Sequence, residues 1–179
     1  MGAYKKLLSM KQSRKTILIL LNLILVLVFF NLTVFQKEKT LASGKLVLLQ
    51  LAPVDPRSLM QGDYMQLRYA TIQNELVPLQ SRGYGVIKLN EQQEAILIRF
   101  QEKELPLGPG EIIIKYFYNG FAVNLGAESY FFEEGQASLF ENAHYGGLRV
   151  DAEGNSILVG LYDANRKLIE PAGTNKPRS

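Results

Sequence analysis

The sequence predicts a mainly β protein: a single amino-terminal transmembrane helix followed by one all-β or β-rich extracytoplasmic domain. Three observations support this prediction. An uncharged, strongly apolar run of about 20 residues lies near the amino terminus. After it, apolar segments of strand length alternate with turn-forming residues. No later segment carries an apolar stripe with helical spacing for more than a turn or two.

The apolar run covers residues 16–35 and is dominated by Leu, Ile, Val and Phe. At about 1.5 Å per residue, such a helix spans roughly 30 Å, the thickness of the hydrocarbon core of a bilayer. A cleaved signal peptide is the alternative, but its apolar core usually has about 7–15 residues, and the nearest cleavage candidate, residues 40–44, is a poor one. We therefore predict an uncleaved anchor in the lipid bilayer. Asn22 either hydrogen-bonds a neighbouring membrane helix or lies close enough to the headgroups to find water.

Basic residues precede the apolar run, with no acidic residue among them. They are Lys5, Lys6, Lys11, Arg14 and Lys15. The positive-inside rule predicts that this tail stays in the cytoplasm and that the domain lies across the membrane. In a bacterium the chain would then sit in the inner, cytoplasmic membrane with its domain in the periplasm or on the outer face. The net charge of +3 comes from this tail, so it does not indicate nucleic acid as a partner.

Composition excludes several kinds of site. The chain has no Cys, which excludes disulfides, thiolate metal sites and cysteine nucleophiles. A single histidine, His144, leaves no room for a site built on several imidazoles. We predict no metal, no cofactor and no catalytic set.

The predicted organisation has five parts. They are a basic cytoplasmic tail at 1–15, the transmembrane helix at 16–35, a polar spacer at 36–44, the β-rich domain at 45–170 and a flexible tail at 171–179.

Within the domain, strands are predicted from short apolar runs bounded by turn residues. They are residues 45–51, 64–69, 85–89, 94–101, 111–118, 121–125, 129–132, 148–150 and 156–162. Residues 90–93, 119–120 and 151–155 are predicted hairpin connections. Asn119-Gly120 is the strongest of these signals, because both positions of its tight turn favour positive φ. Residues 105–110 are a predicted loop, and residues 76–82 a possible short helix that Pro78 interrupts.

The stretch Gly62-Asp63-Tyr64-Met65-Gln66-Leu67-Arg68-Tyr69 is the most informative motif. Just before it, Asp55 can cap a helical turn that Pro56 begins. Gly62 allows backbone angles that a larger residue resists, and the Asp63 carboxylate can accept hydrogen bonds from backbone N–H groups. A strand then follows, with alternate residues on opposite faces.

This alternation divides the motif into two faces. The predicted core face is Met65, Leu67 and Tyr69, and the face available to a partner is Tyr64, Gln66 and Arg68. We predict structural roles for Asp55, Pro56, Gly62, Asp63, Tyr64, Leu67 and Tyr69, and binding roles for Arg57, Asp63, Tyr64 and Arg68.

Several of these residues admit other interpretations. Arg57 can bind a phosphate or carboxylate with two hydrogen bonds, or pair with Asp63, Glu128 or Glu134. Asp55 and Asp63 can form an acid/base pair, although capping and turn roles explain both. His144 can combine with Glu141 and a distant Ser, or simply be an exposed loop histidine.

The motif matches at every named position the signature of the bacterial GDYXXLXY family, and the chain resembles that family from residue 45 to residue 161. Residues 55–57, 127–135 and 145–150 contribute to the resemblance. It implies a membrane-anchored protein with no settled activity, often associated with multi-pass membrane proteins.

A weaker likeness is to the β fold of type I signal peptidases. Leu59 with residues 62–63 is similar to a Pro-x-Leu segment running into Gly-Asp, and residues 130–131 with Gly135 to a Tyr-Phe strand followed by glycine.

Two departures weigh against the activity of those enzymes. Residues 54–55 are Val-Asp where the enzymes carry Ser-Met, and residues 134–136 are Glu-Gly-Gln in place of a Gly-Asp-Asn box. A Ser–Lys dyad also needs a hydroxyl beside a desolvated amine, and no Lys is identifiable as that base. The likeness implies a shared fold without the catalysis.

Three functional hypotheses follow. The first is a non-enzymatic accessory module that docks on an integral membrane protein. The second is a hydrolase related to the signal peptidases. The third is capture of an envelope ligand, such as a lipid headgroup or a peptide, in a groove with Arg57 at its rim.

Overall fold

The computed structural model describes residues 2–52, 64–73 and 80–171 of the 179-residue chain. The chain divides into two compact units, residues 1–39 and residues 40–179. The predicted flexible tail, apart from Pro171, lies outside the described residues.

One long helix, α1, runs over Gly2–Ser43. Its segment Lys15–Ser43 is long and apolar enough to cross a membrane, and none of its most apolar part is buried inside the protein. The helix continues through the residues predicted as a polar spacer. Gln, Lys and Glu at residues 36–39 favour helix, and the first helix-breaking residue is Gly44, where α1 has ended.

The last turn of α1, residues 40–43, belongs to the second unit and is hydrogen-bonded within it. The backbone N–H of Gly44 donates to the carbonyl of Thr40 at 2.9 Å. The Thr40 hydroxyl donates to the Asp151 carboxylate at 2.7 Å, and the Arg149 guanidinium donates to the carbonyl of Gly44 at 2.8 Å. Residues 149 and 151 therefore hold the first residues of the second unit through side-chain hydrogen bonds.

Nine strands and two short helices follow α1 in the described residues. In chain order they are β1 (Lys45–Gln50), β2 (Tyr64–Gln66), α2 (Ala70–Gln73), β3 (Arg82–Leu89), β4 (Ala95–Gln101), β5 (Glu111–Tyr118), β6 (Val123–Asn124), β7 (Ser129–Phe131), α3 (Ala137–Phe140), β8 (Tyr145–Val150) and β9 (Ser156–Tyr162).

The strands form three antiparallel sheets. The first has the order β1-β8-β9, the second pairs β2 with β7, and the third has the order β4-β3-β5-β6. This arrangement confirms the prediction of an apolar helix followed by a β-rich domain.

The three predicted hairpins are present, and each is closed by an Asn or Asp side chain. Asn90 Oδ1 accepts from the backbone N–H groups of Gln92 and Glu94, both at 2.9 Å. Asn119 Oδ1 accepts from Ala122 at 2.8 Å, and Asp151 Oδ1 accepts from the N–H of Asn155 at 2.8 Å. A side-chain acceptor satisfies backbone donors that the tight turn would leave unpaired.

The Asn119-Gly120 connection differs from the expected two-residue turn. Of the two residues Asn119 and Gly120, only Gly120 has a positive φ, at 91°. Strand β6 begins at Val123. The expectation of positive φ at both positions was wrong, because the Asn119 side chain accepts from the N–H groups of Phe121 and Ala122 and so supports a four-residue turn.

Other boundaries also differ. Strand β2 ends at Gln66, and Tyr69 pairs only through an isolated bridge to Leu51. Strand β8 begins three residues before the predicted start, at Tyr145. The predicted helix at 76–82 falls mostly outside the described residues, and Arg82 already belongs to β3.

The predicted loop at 105–110 is confirmed, and an ion pair closes it. The Arg99 guanidinium donates two hydrogen bonds to the Glu111 carboxylate, at 2.8 and 2.9 Å. The Gly108 N–H donates to the same carboxylate at 2.8 Å. The Arg99 bond, with the Gly108 bond second, lowers the pKa of Glu111 to about 2.

Buried apolar side chains from all three sheets form one cluster. Its largest fully buried members are Tyr69, Phe140, Leu49, Ile72, Ile87, Ile114, Leu148 and Leu161. Phe140 is central, with its ring centroid 5.0 Å from that of Tyr130 and 5.5 Å from that of Phe132. The sheets therefore share one hydrophobic core.

Gly147 in β8 lies against an aromatic ring, and replacing it should destabilise the domain. A Cβ at Gly147 would lie 2.3 Å from Cε2 of Tyr162. We expect Gly147→Ala to lower the free energy of unfolding by about 1–3 kcal/mol, the usual cost of overpacking. Urea-dependent pulse proteolysis of the full chain in detergent measures this change.

The matched control is Gly85→Ala in β3. A Cβ there would lie 3.4 Å from Cγ2 of Ile114, an ordinary contact, so the control should stay near the wild-type stability. Equal effects of the two substitutions would contradict the steric argument.

Candidate functional site

The described part of the motif, residues 64–69, alternates between the core and the surface. Met65, Leu67 and Tyr69 are buried, as the two-residue period predicts. Gln66 and Arg68 are exposed, and Tyr64 is half-buried. The motif therefore presents one face to the hydrophobic core and the other to the surface.

Tyr69 attaches the motif to a distant segment. Its ring is 2% exposed, and its hydroxyl donates a buried hydrogen bond to the carbonyl of Ala127. Burial, together with the nearby charge of Glu128, raises the pKa of the Tyr69 hydroxyl, which therefore stays protonated and remains a donor. Gly146 makes room for the ring, since a Cβ there would lie 2.8 Å from Cε1 of Tyr69.

Glu128 binds the motif from the same segment. Its carbonyl accepts from the backbone N–H of Leu67 at 2.6 Å, and its carboxylate accepts from the N–H of Leu125. The Glu128 carboxylate, one of the predicted partners of Arg57, is thus bonded to a backbone N–H group.

Residues at the end of β1 and just after it are bonded to the carboxyl-terminal part of the motif. The N–H of Ala52 donates to the carbonyl of Arg68 at 2.8 Å, and the N–H of Gln50 donates to the Thr71 hydroxyl at 3.1 Å. Together with the Leu51–Tyr69 bridge, these bonds connect the first sheet to residues 68–71, which follow β2 of the second sheet.

The surface face of β2 carries an aromatic pair. Tyr64 lies opposite Phe131 of β7, with their ring centroids 5.7 Å apart. Phe131 is 72% exposed. Among the described residues, Arg68 makes no ion pair. We call Tyr64, Gln66, Arg68 and Phe131 the outward face of the motif.

A groove of about 390 Å³ lies beside this face. It is lined by Gln50, Leu51, Ala52, Met65, Gln66, Leu67, Arg68, Phe140, Glu141, Ala143 and His144. Its lining combines buried apolar side chains with the exposed side chains of Arg68, Glu141 and His144. The described lining contains no Ser, Thr or Lys, so it supplies no hydroxyl to complete a constellation with His144 and Glu141.

Five predicted site residues lie outside the described residues. They are Asp55, Pro56, Arg57, Gly62 and Asp63. Their capping, turn and binding roles stay predictions, as do the binding roles of Tyr64 and Arg68. Between residues 15 and 171, the described part of the chain contains no group of three or more His, Asp or Glu side chains that could hold a metal ion.

A second groove, of about 480 Å³, was not predicted. Arg82, Tyr84, Lys115 and Phe117 line it on the third sheet. The Arg82 guanidinium lies 5.6 Å from the centroid of the Phe117 ring, and Lys115 donates to Asn155 Oδ1 at 2.8 Å. The signal in the sequence is a basic or aromatic residue at alternate positions of β3 and β5.

Removing the Tyr69 hydroxyl should weaken the domain. Tyr69→Phe keeps the ring but leaves the Ala127 carbonyl without its buried donor, which typically costs about 1–3 kcal/mol. We expect a matching loss of unfolding free energy, measured by pulse proteolysis of the full chain in detergent.

Tyr118→Phe is the control, because the Tyr118 hydroxyl donates to Gly120 in an exposed hairpin at 2.9 Å. It should change stability by less than about 0.5 kcal/mol. If Tyr69→Phe were equally neutral, the hydroxyl would not be the attachment that we describe.

Comparison with known proteins identifies one family. A family model described as "GDYXXLXY protein" matches residues 26–161, from within the apolar run to the penultimate residue of β9. No curated protein and no solved structure matches the chain, and the likeness to signal peptidases is not confirmed. The match covers well over half of the sequence and includes the motif around Tyr69. The chain belongs to the GDYXXLXY protein family.

Proposed function

We propose that this chain is a single-pass protein of the bacterial inner, cytoplasmic membrane, with its basic tail in the cytoplasm and its β-rich domain on the opposite side. There the domain acts as a non-enzymatic docking module for an integral membrane protein.

The character of α1 supports the anchoring. Its apolar side chains, such as Leu25 and Phe29, are more than half exposed. Water would make this exposure unfavourable, whereas a bilayer accepts an all-apolar helix whose backbone bonds are satisfied internally. The charge asymmetry supports the orientation, since five basic residues precede the helix with no acid among them.

The outward face of the motif is the observation that carries the docking role. Phe131 is held at the surface by a paired strand and the neighbouring Tyr64 ring, and Arg68, four residues after Tyr64, makes no ion pair in the described part of the structure. Aromatic residues and Arg are the side chains that contribute most to protein interfaces. The bonds of Tyr69 and Leu67 fix the backbone beneath this face, so little order would have to be gained on binding.

The groove beside Arg68 favours capture of an envelope ligand as a second candidate function. Its volume of about 390 Å³ lies within the usual range for small-molecule sites. Arg68 and His144 would suit an anionic group, such as a phosphate or carboxylate. A hydrolase has less support, because the described lining offers no Ser–Lys pair.

The orientation can be tested with single cysteines, since the chain has none. We expect a membrane-impermeant maleimide to label Glu153→Cys, in the β8–β9 turn, in cells with a permeabilised outer membrane. Gln12→Cys in the basic tail should be labelled only after lysis. The reverse pattern would contradict the orientation, and a shortened, soluble product would contradict the anchor.

The docking role can be tested by affinity purification in mild detergent with quantitative mass spectrometry. We expect the wild-type chain to recover the same integral membrane protein reproducibly. Phe131→Ala combined with Arg68→Ala should reduce that recovery more than about tenfold, the effect of removing interface hot spots.

Phe121→Ala is the matched control, because Phe121 is 96% exposed but lies in the β5–β6 turn of another sheet. It should leave recovery unchanged. Failure to recover any membrane protein, or equal loss with Phe121→Ala, would contradict docking through the outward face.

A further inference from the structure

We infer that α1 pairs in the membrane with α1 of a second copy of this chain, through a stripe of residues centred on Asn22. This inference rests on the proposed crossing of the membrane by α1, and it concerns a surface separate from the outward face of the motif.

The polar side chains of the apolar run differ in how they are satisfied. Asn31 Nδ2 donates to the carbonyl of Leu27 at 2.8 Å, and the Thr33 hydroxyl donates to the carbonyl of Phe29 at 2.9 Å. Both side chains therefore bond to their own helix. The Asn22 amide has no hydrogen-bond partner within the described residues. In hydrocarbon, where no water is available, an unpaired amide is unfavourable and favours a partner from another helix.

The residues around Asn22 form a seam suited to a second helix. In a seven-residue repeat, Asn22 and Phe29 occupy the same core position in two successive repeats. The second core position of the repeat is occupied by Leu18, Leu25 and Leu32. Leucine occupies that position in three successive repeats, as it does in parallel two-stranded pairs, and a single Asn at the other core position can set the register of such a pair.

A second copy of the chain can supply the hydrogen-bond partner that the Asn22 amide lacks. All copies insert in the same orientation, so their Asn22 side chains reach the same depth. An amide is both donor and acceptor, which makes two Asn22 side chains complementary to each other. Residues 16–35 contain no Gly, Ala or Ser, so close packing of small residues is not available and the hydrogen bond is the specific contact.

Disulfide crosslinking of the full chain in its native membrane tests this pairing. Leu18→Cys and Leu25→Cys place reporters on the seam, and Leu20→Cys and Leu27→Cys place controls at similar depths on the opposite face. We expect the seam reporters to form disulfide-linked dimers at least about fivefold faster than the controls, the ratio that one intramembrane hydrogen bond supports.

Two substitutions identify the cause. In the Leu18→Cys background, Asn22→Leu should slow crosslinking to the rate of the controls, whereas Asn31→Leu should leave it unchanged. Crosslinking that is equal on both faces, or unaffected by Asn22→Leu, would overturn the inference. Seam reporters that crosslink only to another protein would overturn it as well.

Alkaline extraction separates this inference from the proposed anchoring. A chain released from the membrane would overturn both. A chain that is retained but shows no crosslinking specific to the seam would overturn the pairing alone.

Discussion

The domain depends on the buried hydrogen bond from the Tyr69 hydroxyl to the Ala127 carbonyl. Tyr69 follows β2 and Ala127 precedes β7, so the bond sits where these two strands approach each other. It satisfies a polar group inside the hydrophobic core, where an unpaired carbonyl is costly. The ring also packs against Gly146 of β8, so the same side chain contacts the first sheet. Tyr69, the last residue of the motif, thus connects the segment that follows β2 to the segment that precedes β7.

Local features could be predicted from the sequence because their causes are local. The apolar run, the alternation in the motif and the Asn and Asp residues at the hairpins each act within a few residues. The grouping of strands into three sheets could not be predicted in this way. Pairing of β2 with β7 depends on contacts such as Tyr64–Phe131 between segments far apart in the chain.

The start of β8 shows how a local rule can mislead. Gly146 and Gly147 favour a turn when only neighbouring residues are considered. In the structure both are buried within the strand, because the rings of Tyr69 and Tyr162 occupy the space that side chains would need. The candidate site could likewise be predicted only in part. Alternation predicted the exposure of Gln66 and Arg68, whereas the position of the exposed Phe131 ring depends on its pairing with Tyr64.

The register of β1 has a consequence for biosynthesis. Strand β1 directly follows the long helix, yet it pairs with β8, joining Lys45 to Val150 and Gln50 to Tyr145. The ribosome synthesises β1 early and β8 near the end of the chain. Val47, Leu48 and Leu49 therefore remain without their neighbouring strand, β8, while most of the domain is synthesised. Misassociation of the nascent polypeptide is therefore favoured during that interval. The interval ends when the carboxyl-terminal hairpin of β8 and β9 has been synthesised.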